Sequence, residues 1–195
     1  MTPAPAAEIV PFIVPNVAAW RAWLDAHEDD TEAGVWLVLA KKGVTTPTSL
    51  TYAEALDEAL CSGWIDGQKR SRDEATFMQR FTPRRPRSIW SERNVGHTAR
   101  LIAERRMRDR GHAEIATAQS DGRWERAYKG SATIEVPAEL AAALAASPTA
   151  AAHFETLSGA NRYAFLHRVT IGRTAEARQR TAERLVKRLE LGTPY

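Results

Sequence analysis

Apolar residues recur along the first part of the chain at spacings that alternate between strand and helix. The segment EIVPFIV, from Glu8, predicts a short strand, which Pro11 restricts to a sheet edge or a bulge. The segment VAAWRAWLDAH, from Val17, places its apolar side chains on one helical face, with Asn16 as N-cap. VWLVLAKK, from Val35, is β-branched and apolar enough for a buried strand.

A second helix and a hairpin follow in the pattern. Thr51 with Glu54 three residues later is a capping-box signature, and Gly63 predicts where that helix ends. WIDGQKR and ATFMQRFTP then alternate with a period of two residues, which predicts two antiparallel strands. The pairing brings Asp66 and Arg80 onto neighbouring strands, where contact between them depends on the register.

The pattern becomes entirely helical from about Ser91 onward. ERNVGHTARLIAERRM carries an apolar stripe, and HAEIATAQS predicts a second helix. Three more helices are indicated by Pro137 in a first turn, by Ser147 before a proline, and by Thr174 before AEARQRTAERLVKRLEL. No further strand is predicted in this part of the chain.

These elements predict an α+β fold. We expect a small, mainly antiparallel sheet with packed helices in the first half and an all-helical C-terminal part. Residues 1–8 are predicted to be a disordered tail, and residues 9–130 an α+β core. Residues 131–195 are predicted to form a helical subdomain that packs on this core, so that the chain forms one compact unit.

Composition is that of an ordinary globular protein, with 44% hydrophobic and 26% charged residues. No run of about 18 apolar residues predicts a transmembrane segment. The N-terminal segment lacks the positively charged start of a signal peptide, so we expect a cytoplasmic protein. The single cysteine, Cys61, cannot form an internal disulfide and is predicted to pack as a small hydrophobic residue.

The net charge of the whole chain is only +3, but its distribution is uneven. Residues 1–68 contain 3 basic and 10 acidic side chains, a net charge of −7. Residues 69–110 contain 13 basic and 5 acidic side chains, a net charge of +8. A local positive field for an anionic partner is therefore expected from the middle segment of the sequence.

The most basic stretch is RFTPRRPRSIWSERN, from Arg80 to Asn94, which contains five arginines. Arginine suits bidentate recognition of phosphate and carboxylate, and the two prolines restrict the conformations that binding would have to order. The helix predicted near Ser91 adds free backbone N–H groups. We therefore predict an anion site, and its candidate residues are Trp64, Arg80, Arg84, Arg85, Arg87, Trp90, Ser91, Asn94 and Tyr163.

Other interpretations of this stretch stay open. The arginines can instead pair with the acidic first third and tie two parts of the fold together. An enzyme acting on a small phosphorylated or carboxylated substrate could use Asp66 as acid or base beside the arginines. A binder of single-stranded nucleic acid could stack bases on Trp90 while arginines contact phosphates. A protein partner is a further alternative, and the oligomeric state is not predicted.

No cofactor or metal motif is present. The sequence lacks HExxH, a Walker A loop, GxGxxG and GxSxG, and its five histidines do not have the spacing of metal ligands. We therefore expect neither a cofactor nor a metal site.

Four phrases resemble a known family. They are ALCSGWIDGQ, QRFTPRRPRSIWSERNV, RMRDRGHAEI and NRYAFLHRV. They resemble the YdeI/OmpD-associated family, whose members are also described as bacteriocin-protection proteins. The likeness extends from about residue 9 to residue 191. The resemblance implies a role in stress or in resistance to bacteriocins and antimicrobial peptides. It carries no established catalytic set onto this chain, so it implies a binding function or an activity that is unknown, and whether the protein is an enzyme stays open.

Overall fold

The computed structural model describes residues 9–27 and 34–192, so the tail predicted over residues 1–8 lies outside the described residues. The chain divides into two compact units. Unit 1 comprises Met1–Ser88 and Asn94–Trp124, and unit 2 comprises Ile89–Arg93 and Glu125–Tyr195.

Unit 1 contains a four-stranded sheet. Its strands are β1 (Pro11–Phe12), β2 (Val35–Ala40), β3 (Trp64–Ser71) and β4 (Thr76–Pro83), in the order β1-β2-β4-β3. β1 runs parallel to β2, while the pairs β2–β4 and β3–β4 are antiparallel. The predicted small, mainly antiparallel sheet in the first half is confirmed, and so is the predicted hairpin.

Four helices lie in the described residues before residue 125, and the first two begin at the caps that the sequence predicts. They are α1 (Val17–Ala26), α2 (Tyr52–Cys61), α3 (Glu92–Ala103) and α4 (Asp109–Ser120). The Asn16 side chain accepts a hydrogen bond from the backbone of Ala19, and Thr51 with Glu54 forms a complete capping box. These side chains satisfy backbone N–H groups that the first turn of a helix leaves without partners.

The core of unit 1 is rich in aromatic side chains. Trp20 and Trp64 are fully buried, and their ring centroids lie 6.5 Å apart in an edge-to-face arrangement. Trp23 packs its ring 5.5 Å from that of Trp64. Cys61 is also fully buried, as predicted, and burial raises the pKa of its thiol to about 11. This thiol is therefore protonated at neutral pH.

The end of α2 packs against α4 through two glycines. Gly63 follows the last turn of α2 with a φ of +74°, a left-handed conformation that glycine adopts without strain. A Cβ atom on Gly111 would overlap the carbonyl oxygen of Cys61. The same carbonyl accepts a hydrogen bond of 3.1 Å from the backbone N–H of Arg108. The two helices therefore approach at the level of the backbone.

Carboxylates of α2 pair with arginines at and after the end of α3. The Nη2 atom of Arg100 donates to both oxygens of Asp57, at 2.6 and 2.7 Å. The buried Glu58 accepts from Arg106 at 2.8 Å and from Arg108 at 2.6 Å. Arginines between residues 100 and 108 thus form ion pairs with acidic side chains of the first third of the chain.

Unit 2 contains the all-helical C-terminal part, as predicted. Its helices are α5 (Ala138–Ala145), α6 (Pro148–Glu155), α7 (Gly159–Thr170) and α8 (Ala175–Glu190). Helix α8 packs on the other three, and their shared core includes Leu140, Phe154, Phe165 and Leu185. Over residues 9–27 and 34–192, no helix has both the length and the apolar character that crossing a membrane requires.

Candidate functional site

The candidate residues predicted from the sequence are divided between the two units. Those in unit 1 are Trp64, Arg80, Arg84, Arg85, Arg87 and Asn94, and those in unit 2 are Trp90, Ser91 and Tyr163.

The arginines that follow Pro83 and Pro86 differ in environment. Arg84 is only 4% exposed, whereas Arg85 and Arg87 are exposed. A short turn holds this segment, because the Arg85 N–H donates to the Ser88 hydroxyl at 3.0 Å and the Ser88 N–H donates back to the Arg85 carbonyl at 2.8 Å. Within the described ranges neither Arg85 nor Arg87 forms a salt bridge. Of the three arginines between residues 84 and 87, one is therefore buried and two are solvated.

Asp66 and Arg80 lie on adjacent strands but have different partners. The β3–β4 register places Asp66 opposite Phe81, and the register shifts between Asp66 and Lys69. The Tyr52 hydroxyl donates to Asp66 Oδ2 at 2.8 Å. The Arg80 guanidinium lies 6.0 Å from the centroid of the Trp36 ring. Among the residues that the structure describes, Asp66 makes no ion pair with an arginine.

The other two candidates of unit 1 are buried. Trp64 belongs to the aromatic core with Trp20 and Trp23 rather than to an open surface. Asn94 lies in α3, and its carbonyl oxygen accepts a hydrogen bond of 3.0 Å from the Thr98 hydroxyl. Both positions contribute to packing within their unit.

The candidates of unit 2 lie around Tyr128. The Tyr128 N–H donates to the Trp90 carbonyl at 3.0 Å, and Ser91 forms a parallel bridge with Tyr128. The Tyr128 ring meets His167 edge-on at 4.5 Å, and Tyr163 lies 5.6 Å from the same imidazole. Burial lowers the pKa of His167, so this imidazole is neutral at pH 7.

A cluster in unit 1 that the sequence did not predict consists of Arg84, Arg110, Glu114 and Arg123; we call it the Glu114 cluster. Gly63 lies at its centre. The Arg84 N–H donates to the Gly63 carbonyl at 3.0 Å. A Cβ atom placed on Gly63 would lie 2.9 Å from Cγ of Arg110 and 3.1 Å from Cγ of Glu114. The loop after β4 and one face of α4 therefore meet at this glycine.

Arg123 joins the cluster from the segment that follows α4. Its Nε donates to both carboxylate oxygens of Asp121, at 2.8 and 2.7 Å, and its Nη1 donates to the Ser88 carbonyl at 2.7 Å. Arg123 is 9% exposed, and its Nη2 is buried with no acceptor among residues 9–27 and 34–192. A buried guanidinium N–H group without an acceptor is uncommon, and such a group can donate a hydrogen bond to a bound anion.

The electrostatics of the cluster centre on Glu114. Burial raises the pKa of the Glu114 carboxyl, and the nearby charges of Arg110, Arg84 and Arg123 oppose this rise without overcoming it. Within the described part of the chain, Glu114 forms no salt bridge. A carboxyl with a perturbed pKa among arginines is a pattern typical of functional sites.

Part of this cluster had a signal in the sequence. Arg110 and Glu114 lie in the phrase RMRDRGHAEI, and their spacing of four residues places them on one helical face. Arg123 had no such signal, because it reaches the cluster only through the turn that ends α4.

Unit 2 contains an open groove of about 560 Å³. Its walls include Tyr128, Ile134 and Pro137, with charged residues at the rim. At that rim Lys129 donates to Glu135 at 2.7 Å. Because Lys129 and Glu135 already bind each other, this pair gives the groove no clear preference for a charged ligand. No three His, Cys, Asp or Glu side chains group as metal ligands in the described part of either unit.

Two family models match this chain. Residues 12–114, more than half of the chain, match a domain of unknown function, DUF8412. Residues 133–192 match the family described as "Bacteriocin-protection, YdeI or OmpD-Associated", which confirms the resemblance seen in the sequence over that segment. Neither a curated protein nor a solved structure matches the chain.

Proposed function

The chain belongs to the family defined by the domain of unknown function DUF8412, and we propose that it is a binding protein that holds a small anion at the Glu114 cluster. The match of its C-terminal part connects it, in general terms, with bacteriocin protection. Anion binding by unit 1 is the activity that we propose within that general role.

The observation that carries this proposal is the packing of Arg110 and Glu114 together against Gly63, whose carbonyl accepts a hydrogen bond from the Arg84 N–H, while the half-buried Glu114 carboxyl forms no salt bridge in the described residues. The charges of Arg84, Arg110 and Arg123 all act on this carboxyl. Arg84 and Arg123 are buried, while Arg110 and Glu114 are partly exposed, so the cluster opens to solvent on the side of α4. Guanidinium groups that have lost most of their water attract an oxyanion more strongly than solvated ones, because the local dielectric constant is lower.

Isothermal titration calorimetry with inorganic phosphate tests the site. The variant Arg110→Gln removes one cationic partner at the opening of the cluster, and we expect the dissociation constant to rise about 10- to 100-fold. The matched control is Arg21→Gln, which makes the same change of charge on α1, where the side chain is 58% exposed. We expect less than a twofold effect from this control.

Three outcomes would overturn the proposal. The first is a wild-type protein that does not bind phosphate, and the second is an Arg110→Gln variant that binds it unchanged. The third is a larger loss for Arg85→Gln than for Arg110→Gln, which would place the site in the exposed part of the stretch from Arg80 to Asn94. A titration with a short single-stranded oligonucleotide completes the test: binding that weakens steeply with salt and depends on Arg85 would favour a nucleic-acid site instead.

A further inference from the structure

We infer that the Glu114 cluster selects oxyanions that carry a proton, of which hydrogen phosphate is the simplest, and rejects fully deprotonated oxyanions such as sulfate. This inference rests on the proposed function, since it concerns the ligand of the same site. Glu114 is the residue that determines the specificity.

The chemistry follows from the mixture of donors and one acceptor. The guanidinium groups of Arg84, Arg110 and Arg123 can only donate hydrogen bonds, so they bind an oxyanion whether or not it carries a proton. The Glu114 carboxylate, when it is ionised, has no proton to donate and can only accept hydrogen bonds. An oxyanion drawn to the arginines therefore places an oxygen against an acceptor. A P–OH group converts that contact into a hydrogen bond, whereas a bare sulfate oxygen brings two negative oxygens together.

The surroundings of Glu114 keep its oxygens available for this contact. Arg110 and Glu114 lie together against Gly63, whose carbonyl accepts a hydrogen bond from the Arg84 N–H, and Glu114 forms no salt bridge within residues 9–27 and 34–192. The cationic groups whose charges act on its carboxyl are Arg110, Arg84 and Arg123. Partial burial limits how far water can relieve a repulsion between the carboxylate and a bound anion. A site of this kind discriminates strongly, because the wrong ligand leaves a desolvated group without its bond.

Acidification removes the discrimination. A protonated Glu114 becomes a donor and then donates a hydrogen bond to a sulfate oxygen as readily as to a phosphate oxygen. Burial raises the pKa of Glu114, so this change falls at a higher pH than it would for an exposed glutamate. Sulfate has one charge state throughout this range, so a change in its affinity reports on the protein.

The experiment compares inorganic phosphate with sulfate by calorimetry on the full chain. At pH 7.5 we expect wild type to prefer phosphate by about 100-fold or more. Glu114→Gln keeps the size of the side chain and offers a donor, so we expect the preference to fall below about fivefold, mainly because sulfate binds more tightly. Arg110→Gln serves as the matched variant, because it should weaken both anions and leave their ratio near the wild-type value.

The outcomes separate this inference from the proposed function. Equal affinity of the wild-type protein for phosphate and sulfate would overturn the inference and leave the anion site in place. A wild-type preference that Glu114→Gln retains would also overturn it. Absence of binding to either anion would overturn both. Wild type alone gives an independent check, because its sulfate affinity must rise between pH 7.5 and pH 5 whether or not the variant folds.

Discussion

Replacing Glu58 by glutamine is expected to destabilise unit 1 by about 2–3 kcal/mol. The Glu58 side chain is 8% exposed and accepts bonds from two guanidinium groups, Arg106 at 2.8 Å and Arg108 at 2.6 Å. Arg108 also donates to the Glu58 carbonyl at 3.3 Å. The carboxylate thus joins α2 to the segment between α3 and α4.

The magnitude follows from what glutamine keeps and what it removes. It keeps one acceptor oxygen but loses the negative charge, and breaking a buried ion pair costs about 3–5 kcal/mol because one charge is left uncompensated. The expected loss falls at or below the lower end of that range, since Arg106 keeps Glu104 at 3.1 Å and Arg108 keeps Asp25 at 2.7 Å. For a chain of this size, 2–3 kcal/mol corresponds to a fall in melting temperature of roughly 4–12 °C.

Urea denaturation followed by tryptophan fluorescence measures this loss. Five of the six tryptophans belong to unit 1, so the signal reports on the unit that contains Glu58. The matched control is Glu104→Gln, because Glu104 also bonds to Arg106 but its side chain is 40% exposed. We expect the control to leave the midpoint unchanged within error. Equal effects of the two variants would refute the reasoning that burial decides the contribution of this ion pair.

Two further predictions concern titratable groups. Cys61 should react with Ellman's reagent at pH 8 at least about 100-fold more slowly in the native protein than in urea. The reason is that burial raises the pKa of its thiol to about 11, so little thiolate is present. A rapid reaction of the native protein would contradict the burial of this thiol. His167 should titrate below the usual histidine value by NMR, because burial lowers its pKa. Its contribution to stability is then fully present above about pH 6.5 and is lost as the pH falls, since the unfolded state binds the proton more readily. His167→Phe should weaken this pH dependence.

Interactions close in sequence were predictable, because they depend on a few consecutive residues. The caps at Asn16 and at Thr51 with Glu54 lie within three residues of the backbone groups that they satisfy. Alternation over WIDGQKR and ATFMQRFTP likewise predicted a hairpin. Alternation did not predict whether Asp66 meets Arg80, because the pairing register shifts between Asp66 and Lys69 and the two side chains have different partners.

The candidate site was harder to predict, because it is assembled from distant segments. Arg84 was singled out from the sequence, but the arginines beside it in the chain are solvated, and its charged neighbours lie on and after α4. The net charges of −7 and +8 indicated correctly that the first third attracts arginines. They did not indicate which arginines pair there, since charge counts carry no geometry.

The backbone contact between α2 and α4 has a consequence for the energetics of binding. Gly63 and Gly111 allow the two helices to approach without intervening side chains, and Arg110 and Glu114 lie against this contact. The spacing of the cluster is thus preorganised by main-chain packing rather than by flexible side chains, so a ligand needs to order little of the protein on binding. Substituting Gly63 by alanine would displace Arg110 and Glu114 and would strain the backbone at a φ of +74°, so it is expected to weaken anion binding without changing a charge.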